Sequence, residues 1–238
     1  MQPPQQYIAR LEDKTVHNEK FVQYKFEFTN PHSMDFIAGQ YVSLKVAENG
    51  TRRSYSICST PGIKHGFETV VDLEPAGIGC QFLERLKFGD EVSLLAPLGQ
   101  FVIDTQLQED EIILVATGSG ISPFMSMILD LLQEKQDTRP ISLYWGMRHV
   151  EHLFWQDEFE LLSENFANFS FHPVLSRAPE EWPLCRGRVT DCLSVHQLSE
   201  SPKVGYYLCG SAPMIVDVSQ VLSQKGVQAE HIHHEKFY

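Results

Sequence analysis

The first hundred residues alternate apolar and polar positions in short segments. Phe21 to Phe28 and Tyr41 to Val46 both follow a two-residue period, and Glu48-Asn49-Gly50 supplies a turn after the second segment. This period is typical of strands with one buried face. Phe67 to Leu73 and Glu91 to Leu95 are two further predicted strands. Many short strands within about a hundred residues favour an antiparallel barrel or sandwich.

The hydrophobic pattern changes at Glu111. Ile112 to Ala116 is a continuous apolar run, as expected for a strand buried on both faces of a parallel sheet. Strands and helices then alternate, which predicts βαβ units and a doubly wound sheet. The remaining predicted strands are Ile141 to Trp145, Phe169 to Leu175 and Tyr206 to Gly210, and the predicted helices are Pro123 to Gln133, Trp155 to Leu162 and Pro213 to Gln224.

A polar segment, Asp104 to Asp110, separates the two patterns. We therefore expect two domains, an antiparallel β-barrel over residues 1–105 and an α/β domain over 106–238. A single helix is predicted inside the barrel half, Gly79 to Leu86, because Phe82, Leu83 and Leu86 share one helix face.

The net charge narrows the range of partners. The chain has 19 Lys and Arg against 31 Asp and Glu, a formal charge of −12. A protein that binds nucleic-acid phosphates or an anionic membrane needs a basic surface, so this acidic balance argues against both functions. There is no apolar stretch of about 18 residues, and the first residues lack the pattern of a signal peptide. These features predict a soluble, cytoplasmic protein.

The five cysteines, Cys58, Cys80, Cys185, Cys192 and Cys209, are far apart. No C-x-x-C pair occurs, so neither a zinc site nor a redox dithiol of that type is expected. No C-x4-C-x2-C run occurs, so no plant-type iron–sulfur cluster is expected in this chain. We predict that most of these cysteines are buried thiols in a reducing compartment, with no metal bound.

Two glycine-rich segments follow predicted strands. Ala116 to Pro123 leads from a buried strand into a helix, so its backbone N–H groups can approach a phosphate. A glycine turn used only for tight packing is the alternative. Leu208 to Ser211 repeats the strand, glycine and helix order. Because ligands bind beyond the carboxyl ends of parallel strands, the two segments together favour a dinucleotide site.

The barrel half carries an unusual segment, Arg52 to Ser56. A guanidinium suits a phosphate, a tyrosine ring suits a flat heterocycle, and a serine hydroxyl suits a ring nitrogen. A solvated strand with charged ends would have a similar sequence, so this segment alone does not decide between the two interpretations.

Seven segments in order resemble the ferredoxin–NADP⁺ reductase superfamily. The resemblance implies a flavin-binding antiparallel barrel followed by a nicotinamide-nucleotide domain, with bound FAD and NADPH or NADH as substrate. The segments are Arg53-Ser54-Tyr55-Ser56, Gly77 to Leu83, Pro97 to Phe101, Ala116 to Phe124, Tyr144 to Arg148, Leu208 to Gly210 and Glu235 to Phe237.

The resemblance also implies site residues. The catalytic set would be Ser56 near flavin N5, Cys209 at the nicotinamide, Glu235 in the charge network, and Phe237 covering the ring. Phe237 is followed by Tyr238, so which of these two rings covers the flavin stays open. The implied flavin contacts are Arg53, Ser54, Tyr55, Ser56, Val70, Val71, Asp72, Gly77, Ile78, Gly79, Cys80, Phe237 and Tyr238.

The implied nicotinamide contacts are Thr117, Gly118, Cys209 and Gly210. Ser176 and Arg177 follow the third parallel strand, where NADP-using relatives carry a Ser-Arg pair for the 2′-phosphate, and Arg186 and Arg188 are possible further cations. NADH-using relatives often carry a similar run, so NADPH is only slightly favoured over NADH. Cys80 departs from the family pattern, which has serine there.

The expected function is hydride transfer from NAD(P)H to the flavin, followed by electron transfer to a separate acceptor. The acceptor would be a ferredoxin, a flavodoxin or an oxygenase. One alternative is a reductase that uses free flavin as substrate. Another is a flavoprotein subunit or redox sensor without turnover of its own.

Overall fold

The computed structural model describes residues 3–104, 109–195 and 203–237. The chain divides into two compact units. One contains the residues up to Ile103 together with Ser122–Gln136, and the other contains Asp104–Ile121 and the residues from Asp137 onwards. The predicted second domain included Ser122–Gln136, which the structure groups with the first unit. The domain bounds 1–105 and 106–238 stay a prediction.

The first unit is built on a six-stranded antiparallel sheet with the order β4-β3-β6-β1-β2-β5. Its two end strands approach each other, because the Thr69 hydroxyl donates to the Ser56 carbonyl at 2.9 Å and the Cys58 N–H donates to the Glu68 carbonyl at 2.9 Å. The predicted antiparallel barrel is confirmed. The strands are β1 (Gln5–Val16), β2 (Phe21–Asn30), β3 (Tyr41–Lys45), β4 (Arg52–Ser56), β5 (Gly66–Asp72) and β6 (Glu91–Leu98).

The alternating positions of β2 fill the barrel. Tyr24, Phe26 and Phe28 are buried, whereas the residues between them are only partly covered. Phe26 stacks on Phe67 of β5 with ring centroids 5.0 Å apart. The two-residue period that identified the strand therefore reflects one face turned into an aromatic core.

Two helices belong to the first unit. The helix α1 spans Ile78–Arg85, one residue ahead of the predicted bounds. The helix α2 spans Ser122–Leu129 and continues as a π-helical turn over Asp130–Glu134. The Ser126 hydroxyl of α2 donates to the Ser59 carbonyl at 2.7 Å. The predicted helix from Pro123 to Gln133 is thus present, and it is fastened to a loop of the barrel unit.

The second unit contains a six-stranded parallel sheet with the order β10-β9-β8-β7-β11-β12. The doubly wound sheet is confirmed, although the short strand β10 was not predicted. The strands are β7 (Glu111–Thr117), β8 (Ile141–Met147), β9 (Phe169–Leu175), β10 (Cys185–Arg186), β11 (Val204–Ser211) and β12 (Ile232–Phe237), and the helices are α3 (Gln156–Asn165), α4 (Val189–Val195) and α5 (Ala212–Gln224).

A buried carboxylate lies in the second unit. Glu109 is 4% exposed and accepts the Tyr207 hydroxyl at 3.1 and 3.0 Å. The His233 ring stacks on Tyr207, with centroids 4.6 Å apart. His231 lies in a 3₁₀ turn before β12, whereas His233 lies in that strand. No helix in the described part of the chain is long and apolar enough to cross a membrane.

Candidate functional site

The N-terminus of α1 is open in the first unit. Gly77 is the N-cap residue, with φ −70° and ψ 175°, and it has no side chain to satisfy the first N–H groups of the helix. A Cβ atom on Gly77 would meet no described atom within 4 Å. Unsatisfied N–H groups at a helix N-terminus favour an anion. The geometry therefore fits the diphosphate of a dinucleotide.

Two side chains of β4 lie against this helix start. A Cβ atom on Gly79 would overlap the Tyr55 hydroxyl and would lie 3.0 Å from Cγ of Arg53. Arg53 itself is exposed, and its guanidinium donates to the Arg52 carbonyl at 2.8 Å. Burial raises the pKa of Tyr55, so its phenol stays neutral. The strand thus brings a cation and a neutral hydroxyl to the open N–H groups.

The end of β5 is tied to the same turn. The Cys80 thiol donates to the Asp72 carbonyl at 3.4 Å, and burial raises the pKa of this thiol. A thiol is a weaker donor than the hydroxyl that serine would supply. The side chains of Val70 and Val71 are buried, so only their backbone groups could face a ligand.

The other predicted flavin residues differ in exposure. Ser54 and Ile78 are exposed, whereas Ser56 is buried at the end of β4. Ser56 belongs to the first unit, and the other predicted catalytic residues, Cys209, Glu235 and Phe237, belong to the second. The backbone of Phe237, in β12, pairs with that of Ser211, in β11. Tyr238 lies outside the described residues.

The glycine turn of the second unit packs against the end of β11. A Cβ atom on Gly120 would overlap the Cys209 carbonyl oxygen, and one on Gly210 would overlap the Thr117 hydroxyl. Gly210 has φ +149°, and Gly118 has φ +58°. A Cβ atom on Gly118 would meet no described atom within 4 Å. The structure therefore brings Thr117, Gly118, Cys209 and Gly210 together, with one open side at Gly118.

Trp145 positions this turn. It is fully buried, and its indole N–H donates to the Gly118 carbonyl at 3.1 Å. Trp145 reaches the turn because it pairs in register with Ala116, two residues before Gly118, and the sequence alone carries no signal of this contact.

Cys209 and Glu235 are register partners on neighbouring parallel strands. Burial raises the pKa of Cys209 well above its ordinary value, and the Glu235 carboxylate adds to the shift. The thiol is therefore held protonated. It can donate a hydrogen bond or pack beside a ligand, but it does not supply a thiolate nucleophile.

The predicted 2′-phosphate residues follow β9. The Ser176 N–H donates to the Met147 carbonyl at 3.0 Å, and the Arg177 N–H donates to the Arg148 carbonyl at 2.9 Å, so the end of β8 holds both. Both side chains are exposed. Arg186 differs, because its guanidinium donates to the carbonyls of Glu180 and Trp182. Arg186 is exposed as well, and its possible role as a further cation stays a prediction.

The barrel with an open helix terminus and the parallel sheet with two packed glycine turns define a class, the two-domain flavoprotein oxidoreductases that use nicotinamide nucleotides. Family comparisons agree with this. Residues 8–103 match the oxidoreductase FAD-binding domain, and residues 114–220 match the oxidoreductase NAD-binding domain. The chain belongs to the ferredoxin–NADP⁺ reductase superfamily.

Several relatives are similar over most of the chain. The anthranilate 1,2-dioxygenase electron transfer component of Acinetobacter baylyi is 33% identical over 86% of this chain and 59% of that protein. The toluate 1,2-dioxygenase electron transfer component of Pseudomonas putida is 30% identical over 97% of this chain and 67% of that protein. A cytochrome P450 reductase structure from Amycolatopsis has a TM-score of 0.90 at 26% identity, covering 100% of this chain and 71% of that one.

Proposed function

We propose that this chain is an FAD-dependent reductase that takes a hydride from NAD(P)H and passes electrons to a separate oxygenase component or ferredoxin-type carrier. The observation that carries the proposal is the open N-terminus of α1 with Arg53 and Tyr55 against it, in a chain that also has the packed turn of Gly120 and Gly210.

This geometry supports the proposed roles of the flavin residues. Arg53 and the N–H groups of Ile78, Gly79 and Cys80 would hold the diphosphate by charge-assisted hydrogen bonds. Tyr55 would pack along the cofactor with its neutral phenol. The backbone of Val70, Val71 and Asp72 would hold the next part, with Ser54 and Gly77 lining the turn. Ser56, the buried last residue of β4, would present its hydroxyl to the ring.

Residues of the second unit would orient the nicotinamide. Thr117, Gly118 and Gly210 would position the ring, and Cys209 would lie beside it as a neutral thiol. When bound, FAD supplies a ring that accepts a hydride and releases electrons one at a time. Glu235 would hold charge and proton balance near that ring, with Phe237 or Tyr238 excluding water until nicotinamide arrives.

The acceptor is proposed from the relatives. Several are named as electron transfer or reductase components of oxygenases. The chain spans less than two thirds of the first two of these proteins, at 59% and 58% of their length. Residues 1–105 hold 10 basic and 13 acidic residues, a net of −3, against 9 and 18, a net of −9, in residues 106–238. An acidic carrier would therefore meet less repulsion at the first unit.

The test is anaerobic stopped-flow absorbance with the FAD-loaded chain. NADH or NADPH should bleach the flavin bands, and the reduced protein should reoxidise when an oxygenase component or a ferredoxin is added. Gel filtration beforehand should leave FAD on the protein. A reductase that uses free flavin as substrate would lose its flavin in that step. Absence of bleaching by either nucleotide would overturn the proposal.

The nucleotide preference is proposed to lean towards NADPH, through Arg177. Arg177→Ala should lower kcat/KM for NADPH by about tenfold, the scale of one charge-assisted hydrogen bond, and leave that for NADH nearly unchanged. Arg186→Ala is a structural comparison, because it removes the hydrogen bonds to the Glu180 and Trp182 carbonyls and should lower thermal stability. Equal losses with NADPH and NADH in Arg177→Ala would remove Arg177 from the 2′-phosphate site.

We further propose a cytoplasmic location, supported by the need for a nicotinamide-nucleotide pool and by the unpaired thiols of Cys58, Cys80 and Cys209. We also propose that the two domains span residues 1–105 and 106–238.

A further inference from the structure

Two cysteines flank a turn that bears cations. Cys185 of β10 and Cys192 of α4 form a disulfide with Cα atoms 6.1 Å apart. The other three cysteines are buried free thiols, as expected for most of the five. This Cα separation lies in the usual range for a disulfide. The bond closes a short loop that carries Arg186, Gly187 and Arg188.

The closed loop is fastened to the end of β9. The Gly187 N–H donates to the Leu175 carbonyl at 2.9 Å, and Leu175 directly precedes Ser176 and Arg177. Ligands bind beyond the carboxyl ends of strands in an open parallel sheet. The cross-link therefore holds one wall of the sheet edge where the adenosine end of the nucleotide is proposed to bind.

Hydrogen bonds would keep the loop folded without the cross-link. The Arg188 N–H donates to the Asp191 carboxylate at 2.7 Å, and the Cys192 N–H donates to the Arg188 carbonyl at 3.2 Å. Opening the disulfide should therefore loosen the loop and not unfold it, because α4 retains its start. A loop that loosens without unfolding would lower nucleotide affinity in part and would not abolish binding.

The pair differs from the other thiols in accessibility. Cys58 and Cys209 are buried, and burial raises the pKa of each well above its ordinary value, which slows thiol exchange. Cys192 is also buried, but Cys185 is half-buried. An external thiolate would therefore attack the sulfur of Cys185.

We propose that Cys185 and Cys192 are a reversible thiol–disulfide site that controls how firmly the Arg186–Arg188 turn is held, and thereby the affinity for a 2′-phosphorylated adenine nucleotide. This rests on the nucleotide-binding role proposed above. In reduction, a small thiol attacks Cys185, the S–S bond breaks, and Cys192 leaves as a thiolate that takes a proton. A second small thiol then releases Cys185 as a thiol, so two small thiols become one disulfide. Oxidation by a small disulfide is the reverse.

The test uses the full FAD-loaded chain equilibrated in buffers of reduced and oxidised glutathione. Alkylation and peptide mass mapping should find Cys185 and Cys192 joined in the oxidised buffer and alkylated in the reduced one. Calorimetry with 2′,5′-ADP should give about fivefold tighter binding to the oxidised protein, a typical coupling between sites. Affinity for 5′-AMP, which lacks the 2′-phosphate, should change less.

Variants separate the site from general redox effects. Cys185→Ser and Cys192→Ser should bind 2′,5′-ADP as the reduced protein does in both buffers, whereas Cys58→Ala should keep the response. Five free thiols in every buffer, or equal 2′,5′-ADP affinity in the two redox states, would overturn the proposal. Failure of the proposed reductase activity would be seen separately, as flavin that NADH and NADPH do not bleach.

Discussion

The start of α1 at Gly77 and Gly79, in the first unit, and the turn of Gly118, Gly120 and Gly210, in the second, are here called the two glycine cradles. They use glycine for different reasons. In the first unit, Gly79 makes room for side chains, the Tyr55 hydroxyl and the Arg53 stem. In the second unit, Gly120 makes room for backbone, the Cys209 carbonyl. A side chain can rotate away from an added methyl group, but a backbone fixed in a parallel sheet cannot. The nucleotide turn of the second unit should therefore be the less tolerant of the two.

The largest effect is expected for Gly120→Ala. The new Cβ would push the turn away from β11, so we expect NAD(P)H-driven flavin bleaching to slow by about 100-fold, the scale of a displaced reacting group. Unfolding free energy should fall by about 1–3 kcal/mol, as for overpacking. FAD content should stay at the wild-type level. Stopped-flow absorbance and thermal unfolding measure these effects.

Gly118→Ala is the matched control, since its Cβ would meet no described atom within 4 Å although φ is +58°. The left-handed conformation should cost about 1 kcal/mol. If Gly118→Ala lowered the unfolding free energy more than Gly120→Ala, close packing on the Cys209 carbonyl would not be what the glycine serves.

Gly79→Ala should have the next largest effect, on the first unit. The methyl group would displace the Tyr55 hydroxyl, and we expect FAD affinity to fall about tenfold, measured by flavin fluorescence on dilution. Combining it with Tyr55→Phe should recover part of the loss, because the overlapping oxygen is gone.

Gly77→Ala is the control for this cradle, because Gly77 has an ordinary φ of −70° and open space around it. Its FAD affinity should fall less than that of Gly79→Ala, because the added methyl group would displace no described atom of the protein. An equal loss in Gly77→Ala and Gly79→Ala would mean that the whole turn, and not the contact with Tyr55, requires glycine.

The sequence could predict those features of the fold that leave a local pattern of buried positions. Alternation in Phe21 to Phe28 and the apolar run Ile112 to Ala116 both report burial, so they located the barrel and the parallel sheet. The strand ends located the glycine turns. Contacts between separate segments leave no local pattern in the sequence. Only the structure therefore reveals the disulfide of Cys185 with Cys192, the hydrogen bond of Trp145 to Gly118 and the hydrogen bonds of the Arg186 guanidinium.

Buried thiols allow the two units to be compared by pH. Burial raises the pKa of Cys58 in the first unit and Cys209 in the second. Above the ordinary thiol pKa of about 8.5, the unfolded chain loses these protons while the folded chain keeps them. The unfolded state then binds fewer protons, so stability should fall between pH 8.5 and 10, by at most about 1.4 kcal/mol per pH unit for each thiol.

Urea unfolding across this range would measure the slope. Cys58→Ala should reduce it by the contribution of one thiol, and Cys209→Ala should do the same. A variant whose slope equals that of the wild type would show that its thiol ionises as readily when folded as when unfolded.

The smallest effect is expected for Cys80→Ser, which replaces the thiol beside the Asp72 carbonyl by a hydroxyl. A hydroxyl is the stronger donor, and it keeps its proton at a pH where the thiol would begin to ionise. FAD affinity should rise by about two- to threefold, within the range of one neutral hydrogen bond, and it should stay flatter as pH rises above 9. Cys209→Ser is the matched change in the second unit and should leave FAD affinity unaltered. A larger gain from Cys209→Ser than from Cys80→Ser, measured by fluorescence titration, would remove the thiol of the first cradle from flavin binding.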